Sequence, residues 1–505
     1  MPPNPKEPSP LHLRLATLLF PPLGLLLLWR APLKLRRKVL GTMGIGLFSA
    51  LYAALIIFLL VRLTGLQIEW RGGYLPALTY RKTAPNYEAL ENQRAHRANP
   101  QSATQLPAVP SLPSKRGAEE GSWPGFRGPQ RDGHYDETAI LTNWPAGGLR
   151  LLWRQPIGGG YASFAIAEGL AFTIEQRREE EVVAAYEVGM GHEIWTHRWK
   201  DKFSDFYAED GPRATPAYSE GKIYALGAVG ELRCLEAATG KLSWSRNVLV
   251  ENKGQVPTYG VAASPLIVQE KLIVLTGAGH GQSVICYDKQ DGKIIWSALD
   301  DEMGYASPML VTLAGQPQLL ICAETRTLGL RLEDGKLLWE YPWRVLHDQH
   351  PIAQPVMLDT NRFLLSAGYF TGCAAIEIAR TEGGFAARKI WQNKNLKNKF
   401  TSSVFSRGHI YGLDEDILTC LDAKAGERKW KDGHYGYGQL LLAGGHLIIL
   451  SGDGELALVR ITPDRYEELA RFPAIHGKTW NHPAIANGKL FVRNASEMAC
   501  FEISK

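Results

Sequence analysis

The sequence predicts an all-β fold, an eight-bladed β-propeller of four-stranded antiparallel blades, preceded by an N-terminal α-helical membrane anchor. Three observations predict it. A Gly-x-x-x-Trp segment recurs at intervals of 39 to 52 residues, each interval carries signals for four short strands, and a long uncharged apolar run precedes the first repeat. Four short strands in about 40 residues are typical of a propeller blade.

The repeated segment closes each predicted blade, with the glycine in a turn and the tryptophan in the fourth strand. Looser copies end at Trp195 and Trp430, and the copy that ends at Trp391 lacks the glycine. The clear copies are Gly240-Lys241-Leu242-Ser243-Trp244, Gly292-Lys293-Ile294-Ile295-Trp296 and Gly335-Lys336-Leu337-Leu338-Trp339.

The number of blades follows from counting these copies. From Trp153 there are seven complete repeats, the last with Phe472 in place of tryptophan, and an eighth with only three strands after Trp480. The segment Leu151-Leu152-Trp153 is available as the missing strand, and a ring closed in this way has no open edge. We therefore predict eight blades, with a seven-bladed ring as the structural alternative.

The six cysteines follow the repeat and do not form a disulfide pattern. Cys234, Cys286 and Cys420 each precede a repeat glycine by six residues, and Cys500 has the matching place in the last repeat. Alanine or glycine takes this place in other repeats, which indicates a tight buried slot where cysteine acts as a small apolar residue. We expect no disulfide framework.

The N-terminal region is basic and apolar. Residues 1–64 contain eight Lys or Arg and one acidic residue, so the rest of the chain has a net charge of −2 and no expected affinity for nucleic acid. The 22 uncharged residues Leu40–Val61 are long enough to cross a membrane. Leu11–Trp29 is a second hydrophobic segment, interrupted by Pro21-Pro22, and whether it fully crosses is left open.

Five basic residues between the two apolar segments predict the orientation. Such a cluster stays in the cytoplasm, so we expect an inner-membrane anchor with the propeller on the periplasmic side. A cleaved signal peptide is the rival interpretation. We assign residues 1–64 to the anchor, 65–121 to a flexible extracytoplasmic linker rich in proline and polar residues, and 122–505 to the propeller.

Aligned repeats place one polar residue per blade at the start of the first strand, which lines the channel of a propeller. We predict a binding ring there; the alternative is that these side chains bond the backbone of neighbouring blades. The ring consists of Ser163, Thr215, Ser264, Ser307, Gln354, Ser402, Gln439 and His482.

A second layer lies two residues before the ring and is mostly aromatic. Such a layer could rim a funnel that stacks on a flat ligand or holds an apolar side chain of a partner. Ordinary loop packing is the alternative. The candidate rim residues are Tyr161, Arg213, Tyr305, Phe400, Tyr437 and Trp480.

Other candidate motifs are weak. The loop segment His347-Asp348-Gln349-His350 has metal-binding residue types but no clear third ligand. Asp414-Glu415-Asp416 is interpreted as a solvated turn and not as a calcium site. The lead-in from Trp123 to Gly133 is aromatic and turn-rich, and we expect it to pack on the propeller.

The repeats resemble the pyrroloquinoline-quinone (PQQ)-like repeat propellers, as in the phrases RCLEAATGKLSW, ICYDKQDGKIIW and TCLDAKAGERKW. The resemblance covers about residues 123–505. That family includes quinoprotein alcohol dehydrogenases, which bind the quinone and calcium, and the BamB-type propeller of outer-membrane assembly. This chain has neither adjacent cysteines nor a Cys-x-x-Cys-His segment, and its first cysteine is Cys234, so an acylated N-terminal cysteine is not expected.

The resemblance and the anchor together lead to three hypotheses. We expect a non-catalytic scaffold that binds a protein partner in the cell envelope, with no cofactor and no metal. The alternatives are a PQQ- and calcium-dependent dehydrogenase acting on an alcohol or sugar, and a sensor that binds a small envelope ligand at the channel mouth. The sequence names neither the partner nor the ligand.

Overall fold

The structure is a computed structural model that describes residues 21–64, 66–69, 77–80, 85, 87–98, 121–205, 210–346 and 349–504. The chain divides into two compact units, residues 1–82 and 83–505.

The described residues of the first unit form two helices and a hairpin. Its elements are α1 (Pro21–Arg30), α2 (Leu35–Thr64), β1 (Leu66–Glu69) and β2 (Ala77–Tyr80). The helices contact each other where Trp29 Nε1 donates to Thr42 Oγ1 (2.9 Å) and Lys38 Nζ donates to the Trp29 carbonyl (3.0 Å).

Helix α2 confirms the predicted apolar helix. This 30-residue helix includes Leu40–Val61 and is long and apolar enough to cross a membrane. No residue of its most apolar stretch is buried. Of the second segment, Leu11–Trp29, only the part within α1 is described; the remainder lies outside the described residues. Ten helical residues span about 15 Å.

The region predicted as a linker contains more regular structure than its composition indicated. Besides the β1–β2 hairpin, residues 87–98 form helix α3 (Tyr87–Ala98), which belongs to the second unit. Tyr87 and Leu90 pack on the propeller, and Leu90 is buried. That the whole of 65–121 is flexible stays a prediction.

The second unit is the predicted eight-bladed propeller. Each blade is a four-stranded antiparallel sheet. Blade 1 consists of β5–β8 (Ala165–Ala167, Leu170–Arg177, Glu180–Glu187, Glu193–Trp199), blade 2 of β9–β12 (Ala217–Ser219, Lys222–Leu226, Glu231–Glu236, Leu242–Asn247), blade 3 of β13–β16 (Leu266–Val268, Lys271–Leu275, Val284–Asp288, Ile294–Ala298) and blade 4 of β17–β20 (Met309–Leu313, Gln316–Cys322, Arg326–Leu330, Leu337–Pro342).

The other blades follow the same order, with two additions. Strand β3 (His134–Tyr135) adds to blade 7, and β4 (Leu151–Pro156) completes blade 8 as predicted. Blade 5 consists of β21–β24 (Val356–Met357, Arg362–Ala367, Gly372–Thr381, Gly384–Asn393), blade 6 of β25–β28 (Val404–Ser406, His409–Asp414, Ile417–Asp422, Arg428–His434), blade 7 of β29–β32 (Gln439–Ala443, His446–Leu450, Glu455–Arg460, Glu468–Pro473) and blade 8 of β33–β35 (Ala484–Ala486, Lys489–Arg493, Glu497–Glu502) with β4.

The strand order defines two faces. First strands of neighbouring blades contact each other and so surround the central channel. Loops from a fourth strand to the next first strand, and turns between second and third strands, lie on one side, which we call the loop face. The remaining turns lie on the opposite side, the turn face.

The repeated tryptophan joins one blade to the next at six of the eight seams. Trp195 of blade 1 lies against Gly240 of blade 2, and its Nε1 donates to the carbonyl of Ala237 (2.8 Å). The same indole bond crosses five other seams, from Trp153 to Val188, Trp244 to Lys289, Trp296 to Leu332, Trp391 to Ala423 and Trp430 to Thr462.

The seam between blades 4 and 5 departs from this rule. The repeat of blade 5 lacks the glycine, and Trp339 of blade 4 donates instead to Gln318 Oε1 of its own blade (2.6 Å). Its ring also packs on Phe363 of blade 5, with centroids 5.7 Å apart. The missing glycine in the copy that ends at Trp391 therefore corresponds to a different tryptophan contact at this seam.

The cysteines occupy the slot inferred from the repeats. Cys234, Cys286, Cys420 and Cys500 each lie directly opposite the tryptophan of the neighbouring fourth strand. All six cysteines are buried and free. Burial raises the pKa of each thiol, which suits an apolar packing role.

Replacement of Gly240 by alanine tests the tryptophan–glycine seam. A Cβ at Gly240 would lie 2.4 Å from Trp195 Cε3, and the backbone has a φ of +70°, so we expect a loss of about 3 kcal/mol in the free energy of unfolding. Gly221→Ala is the matched control, since its φ is +76° but nothing lies within 4 Å of the added carbon. The control should lose only about 1 kcal/mol through backbone strain. Denaturant unfolding measures both, and equal losses would contradict the seam contact.

Candidate functional site

The polar ring predicted from the repeats is a chain of hydrogen bonds between blades. Thr215 Oγ1 accepts the backbone N–H of Ser163 (3.0 Å), and Ser264 Oγ accepts that of Thr215 (2.9 Å). The same pattern continues, at 2.9 to 3.0 Å, through Ser307, Gln354 and Ser402.

The ring changes character at blades 7 and 8. Gln439 Nε2 donates to the carbonyl of Trp480 (3.0 Å), and Ser163 Oγ donates to that of His482 (2.6 Å). The hydroxyls and amides of the ring are therefore engaged in joining blades, which was the alternative interpretation. That the ring also binds a ligand stays a prediction.

The lead-in segment enters the channel from the turn face. We call residues 123–135 the hub segment. Arg131 is buried, and its Nη1 donates to the carbonyls of Ser264 (3.1 Å) and Pro308 (3.0 Å), while Nη2 donates to that of Pro265. One guanidinium thus holds blades 3 and 4. Burial lowers the pKa of Arg131 to about 9.

Arg127 acts in the same way on the other side of the channel. Its guanidinium donates to the carbonyls of Ser402 (3.3 Å), Ser403 (3.0 Å) and Leu440 (3.4 Å), which belong to blades 6 and 7. Burial lowers the pKa of Arg127 to about 10, although Asp132 opposes the shift.

The rest of the hub segment contacts further blades. Phe126 packs edge-on against His482 of blade 8, with centroids 4.9 Å apart. Burial, and then the charge of Arg127, lower the pKa of His482 well below its usual value, so this imidazole is neutral at pH 7. Backbone bonds join Trp123 to Ile166 of blade 1, Pro124 to Tyr218 of blade 2 and Gly133 to Leu442 of blade 7.

The hub segment closes the channel at the turn face, because its two arginines and Phe126 are packed among residues of blades 3, 4, 6, 7 and 8. The sequence indicated that this segment packs on the propeller, but it did not single out Arg127 or Arg131. Two arginines within a Gly/Pro-rich, aromatic lead-in were the available signal. The partners of Arg127 and Arg131 are backbone carbonyls, and a pattern of side chains in the sequence cannot predict bonds to the backbone.

The predicted rim residues form two clusters on the loop face. In the first, Trp480 stacks on Tyr161 (5.5 Å) and contacts Phe400 (4.8 Å) and Tyr437 (6.3 Å), all between ring centroids. The structure therefore brings together four of the six rim residues, from blades 6, 7, 8 and 1.

Two lysines accompany this first cluster and were not predicted. Lys478 Nζ lies 3.7 Å from the centroid of Trp480, and Lys399 Nζ lies 4.4 Å from that of Tyr437 and donates to its hydroxyl (3.2 Å). Both contacts are cation–π pairs, which are stronger when they are shielded from water. They add positive charge to an aromatic surface.

The second cluster contains Tyr305 and Arg213. Tyr305 packs on Tyr259 (5.6 Å) and edge-on against His350 (5.2 Å), and burial raises its pKa to about 12. Arg213 forms an ion pair with Asp205 and lies over the Tyr161 ring (5.7 Å), which connects the two clusters.

The weaker motifs have separate outcomes. His347 and Asp348 lie outside the described residues, so the His-Asp-Gln-His segment is not tested. Asp414 and Asp416 are buried, so the interpretation of this segment as a solvated turn is wrong. Asp414 forms ion pairs with Lys397 and Lys431, and Asp416 Oδ2 lies 3.0 Å from His434 Nδ1. These contacts make the acidic turn an ion-pair network.

The first rim cluster is not arranged as a slot for a flat quinone. The rings around Trp480 contact one another, so they leave no slot for a flat ring system between them. In the part of the chain that the structure describes, no group of three His, Cys, Asp or Glu is arranged as a metal site. That no cofactor is needed stays a prediction.

The family model PQQ_2, described as outer membrane protein assembly factor BamB, matches residues 178–432, which is half of the chain. The chain belongs to this family. The matched residues run from blade 1 to blade 6, so the BamB family assignment rests on the repeats themselves.

Curated relatives of two kinds are similar to the chain. It is 20% identical over 297 residues to outer membrane protein assembly factor BamB of Shewanella oneidensis, covering 55% of this chain and 70% of that one. It is 24% identical over 186 residues to the dehydrogenase subunit of alcohol dehydrogenase (quinone) from Gluconacetobacter polyoxogenes, covering 35% of this chain. The chain thus spans about a quarter of the length of that dehydrogenase subunit.

Among solved structures, BamB from Moraxella catarrhalis is similar with a TM-score of 0.51 and 17% identity, over 70% of this chain and 97% of that one. At this identity the likeness shows the fold alone. Together with α2, the BamB family membership indicates a membrane-associated envelope protein.

Replacement of Arg131 by methionine tests the hub segment. The change leaves three buried carbonyls without their donor, so we expect a loss of about 3 kcal/mol or more in the free energy of unfolding. The control is Arg150→Met, because Arg150 is exposed and pairs at the surface with Glu502 (3.2 Å). It should change stability by less than about 1 kcal/mol. Urea unfolding distinguishes them, and similar values would exclude a bracing role for Arg131.

A buried carboxyl beside the loop of Arg213 makes stability depend on pH. Glu181 lies at the seam of blades 1 and 2, and its Oε1 accepts the N–H of Ala228 (2.8 Å). Burial raises the pKa of Glu181 to about 7, the Ala228 bond opposes the shift and Asp201 adds to it. The folded state therefore favours the protonated carboxyl.

The pKa of Glu181 is above its ordinary value of 4.5, so its contribution to stability is complete below about pH 4.5 and is lost as the pH rises through 7. Glu181→Gln, which stays neutral, should raise the free energy of unfolding at pH 8 by on the order of 3 kcal/mol and flatten its slope between pH 5 and pH 7. Unfolding at several pH values measures this. The exposed Glu179→Gln should leave the slope unchanged, and an unaltered slope in Glu181→Gln would refute the assignment.

Proposed function

We propose that the protein is a non-catalytic scaffold, anchored in the inner membrane by α2, whose propeller binds a protein partner on the periplasmic side. The loop face is the binding surface in this proposal. It is supported by the hub segment, which closes the channel at the turn face, and by the apolar side chains that the loop face exposes.

The observation that carries the proposal is an apolar pair at the loop face of blades 4 and 5. Phe370 is 67% exposed and Leu346 is 46% exposed. They are adjacent, because the N–H of Leu346 donates to Thr371 Oγ1 (2.9 Å). Exposed phenylalanine side chains cost solvation energy in the free protein and are enriched at the centres of protein interfaces.

The turn that carries Phe370 is held in an unusual backbone conformation. Tyr369 and Phe370 have φ values of +54° and +64°, which are rare for aromatic residues. Tyr369 packs under Lys399, whose Nζ lies 5.0 Å from its centroid, so this turn is connected to the rim. A strained residue kept exposed at a loop tip is typical of a functional surface.

The comparisons support the same choice. The family model and one group of relatives carry the name of an outer membrane protein assembly factor, and the matched residues include blades 4 and 5. The dehydrogenase relatives cover a smaller part of the chain. The contacting rings of the rim agree better with a surface for a protein than with a slot for a flat cofactor.

Site-specific photo-crosslinking tests the proposal. A photoreactive amino acid at position 370 of the full-length chain in intact cells should give a discrete adduct with one envelope protein. At position 190 it should give none, since Met190 is similarly exposed (53%) but lies on the turn face. Phe370→Asp should reduce co-purification of the crosslinked protein at least tenfold, whereas Met190→Asp should not.

Two results would overturn the proposal. One is a crosslinking experiment in which positions 370 and 190 give the same adducts, or in which neither position gives an adduct. The other is alcohol or sugar oxidation by the purified full-length chain supplied with PQQ, Ca²⁺ and an artificial electron acceptor, which would establish the dehydrogenase alternative.

A further inference from the structure

The turn between α1 and α2 carries positive charge that no acidic residue balances. Five basic residues lie between positions 30 and 38, and the sequence has no Asp or Glu from position 8 to position 68. They are Arg30, Lys34, Arg36, Arg37 and Lys38. Because residues 39–61 carry no charge, the positive charge is concentrated at one end of the helix pair.

Contacts between the two helices define the side of α2 on which α1 lies. A Cβ at Gly41 would lie 2.7 Å from Leu28 Cδ2, and Trp29 Nε1 donates to Thr42 Oγ1 (2.9 Å). Helix α1 therefore packs on the side of α2 that carries Gly41 and Thr42. The pair has two flanks, one on each side of this contact.

Trp29 fills the first flank. Its indole reaches across to Thr42, and Lys38 Nζ lies 5.9 Å from the centroid of its ring. The same ammonium group donates to the Trp29 carbonyl (3.0 Å). The charge of Lys38 is therefore already engaged within the helix pair.

The second flank is open, and three cations share it. Successive residues of an α-helix are rotated by about 100°, which places Arg37 of α2, and Lys34 directly before that helix, on the side away from Trp29. The same rotation places Arg30 of α1 on that side. These three side chains are exposed, and none has an ion pair or a side-chain hydrogen bond with another described residue.

Below these cations the open flank is apolar and has a glycine at its centre. Gly44 follows Arg37 by two helical turns, and nothing lies within 4 Å of a Cβ placed there. Leu23 of α1, which is 46% exposed, and the partly buried Phe48 of α2 are on the same flank. The open flank is therefore a shallow apolar furrow with three cations at its end.

The far side of α2, where Arg36 points, has a different shape. Below Arg36 stand large exposed side chains, those of Leu40, Met43 and Leu47. Arg36 and Arg37 thus have the same charge, but Arg36 lies above a ridge and Arg37 above a furrow. A ligand with a charged head and an apolar tail fits the furrow.

The spacing of charge and furrow matches one leaflet of a bilayer. Seven residues separate Arg37 from Gly44, a distance of about 10 Å along the helix. The polar headgroup region on each side of a bilayer is about 5–8 Å thick, so a cation among the headgroups puts Gly44 at the acyl chains. A soluble anion would contact the cations and leave the furrow empty.

We propose that the open flank of the α1–α2 pair binds an anionic phospholipid, with Arg30, Lys34 and Arg37 around its phosphate and an acyl chain over Gly44. Basic clusters beside a membrane-spanning helix attract anionic headgroups, and this cluster also borders a shaped apolar surface. The site rests on the anchor of the proposed function, in which α2 crosses the membrane. It does not depend on the protein partner of the propeller.

Native mass spectrometry of the full-length chain, released from non-ionic detergent micelles, tests this site. The probes are phosphatidylglycerol and phosphatidylcholine with identical acyl chains, added separately. The first phosphatidylglycerol should bind about tenfold more tightly than the first phosphatidylcholine, because only its headgroup has a net negative charge. A large excess of inorganic phosphate should not displace it, since free phosphate makes no contact with the furrow. Equal affinities for the two lipids, or displacement by phosphate, would overturn the proposal.

Two matched pairs of variants separate a defined site from diffuse attraction. Arg37→Gln should weaken phosphatidylglycerol binding at least fivefold, whereas Arg36→Gln, with the same loss of charge, should change it less than twofold. Gly44→Leu should also weaken binding, because it fills the furrow without changing the charge. Its control is Gly46→Leu on the flank of Trp29, where again nothing lies within 4 Å of the added carbon.

Equal weakening within either pair would contradict a defined site and overturn the proposal. The thermal unfolding midpoint of the propeller should be unchanged in all four variants, since the substitutions lie in the first unit.

Alkaline extraction of cell membranes tests the anchor on its own. Release of the wild-type chain into the soluble fraction would overturn the anchor and this site together. Retention in the membrane, combined with equal binding of the two lipids, would overturn this site alone and leave the proposed function intact.

Discussion

The contact of a tryptophan with a glycine of the next blade is the interaction on which the ring depends. At five seams the tryptophan packs on such a glycine and its indole N–H also donates to a carbonyl of the next blade. At a sixth seam Trp430 makes the same hydrogen bond without the glycine. The glycine is required because the ring of the preceding tryptophan takes the space of a side chain. A propeller blade contacts only its two neighbours, and stability therefore accumulates seam by seam.

The hub segment adds connections that cross the channel. Arg127 and Arg131 donate to carbonyls of four blades, which no contact between adjacent blades could join. Charged donors make stronger hydrogen bonds than neutral ones, and here they satisfy carbonyls that the short first strands leave open. Because the hub segment closes the channel at the turn face, the rim and the exposed Phe370 are the accessible groups on the loop face. The same geometry thus supports both rigidity and a one-sided binding surface.

The repeats predicted the blade number, the closing strand, the cysteine slot and the position of the ring, since all of these depend on periodic side chains. They did not predict the rim lysines, because Lys399 and Lys478 occupy different repeat positions and share only the aromatic cluster that each contacts. Helix α3 was missed because its sequence is polar, with Tyr87 and Leu90 as its packing residues, and such a helix forms mainly by docking. Arg131 was missed because its partners are backbone atoms.

The closing of blade 8 by β4 has a consequence for synthesis of the chain. Strand β4 follows the anchor, whereas its partner β35 begins at Glu497. At 5–20 residues per second, on the order of tens of seconds separate the emergence of the two strands from the ribosome. During that interval the first-made strand has an unpaired edge and the hub segment lacks the carbonyls of the later blades. Nascent chains of this protein therefore need protection from aggregation or proteolysis for longer than their blade size alone would suggest.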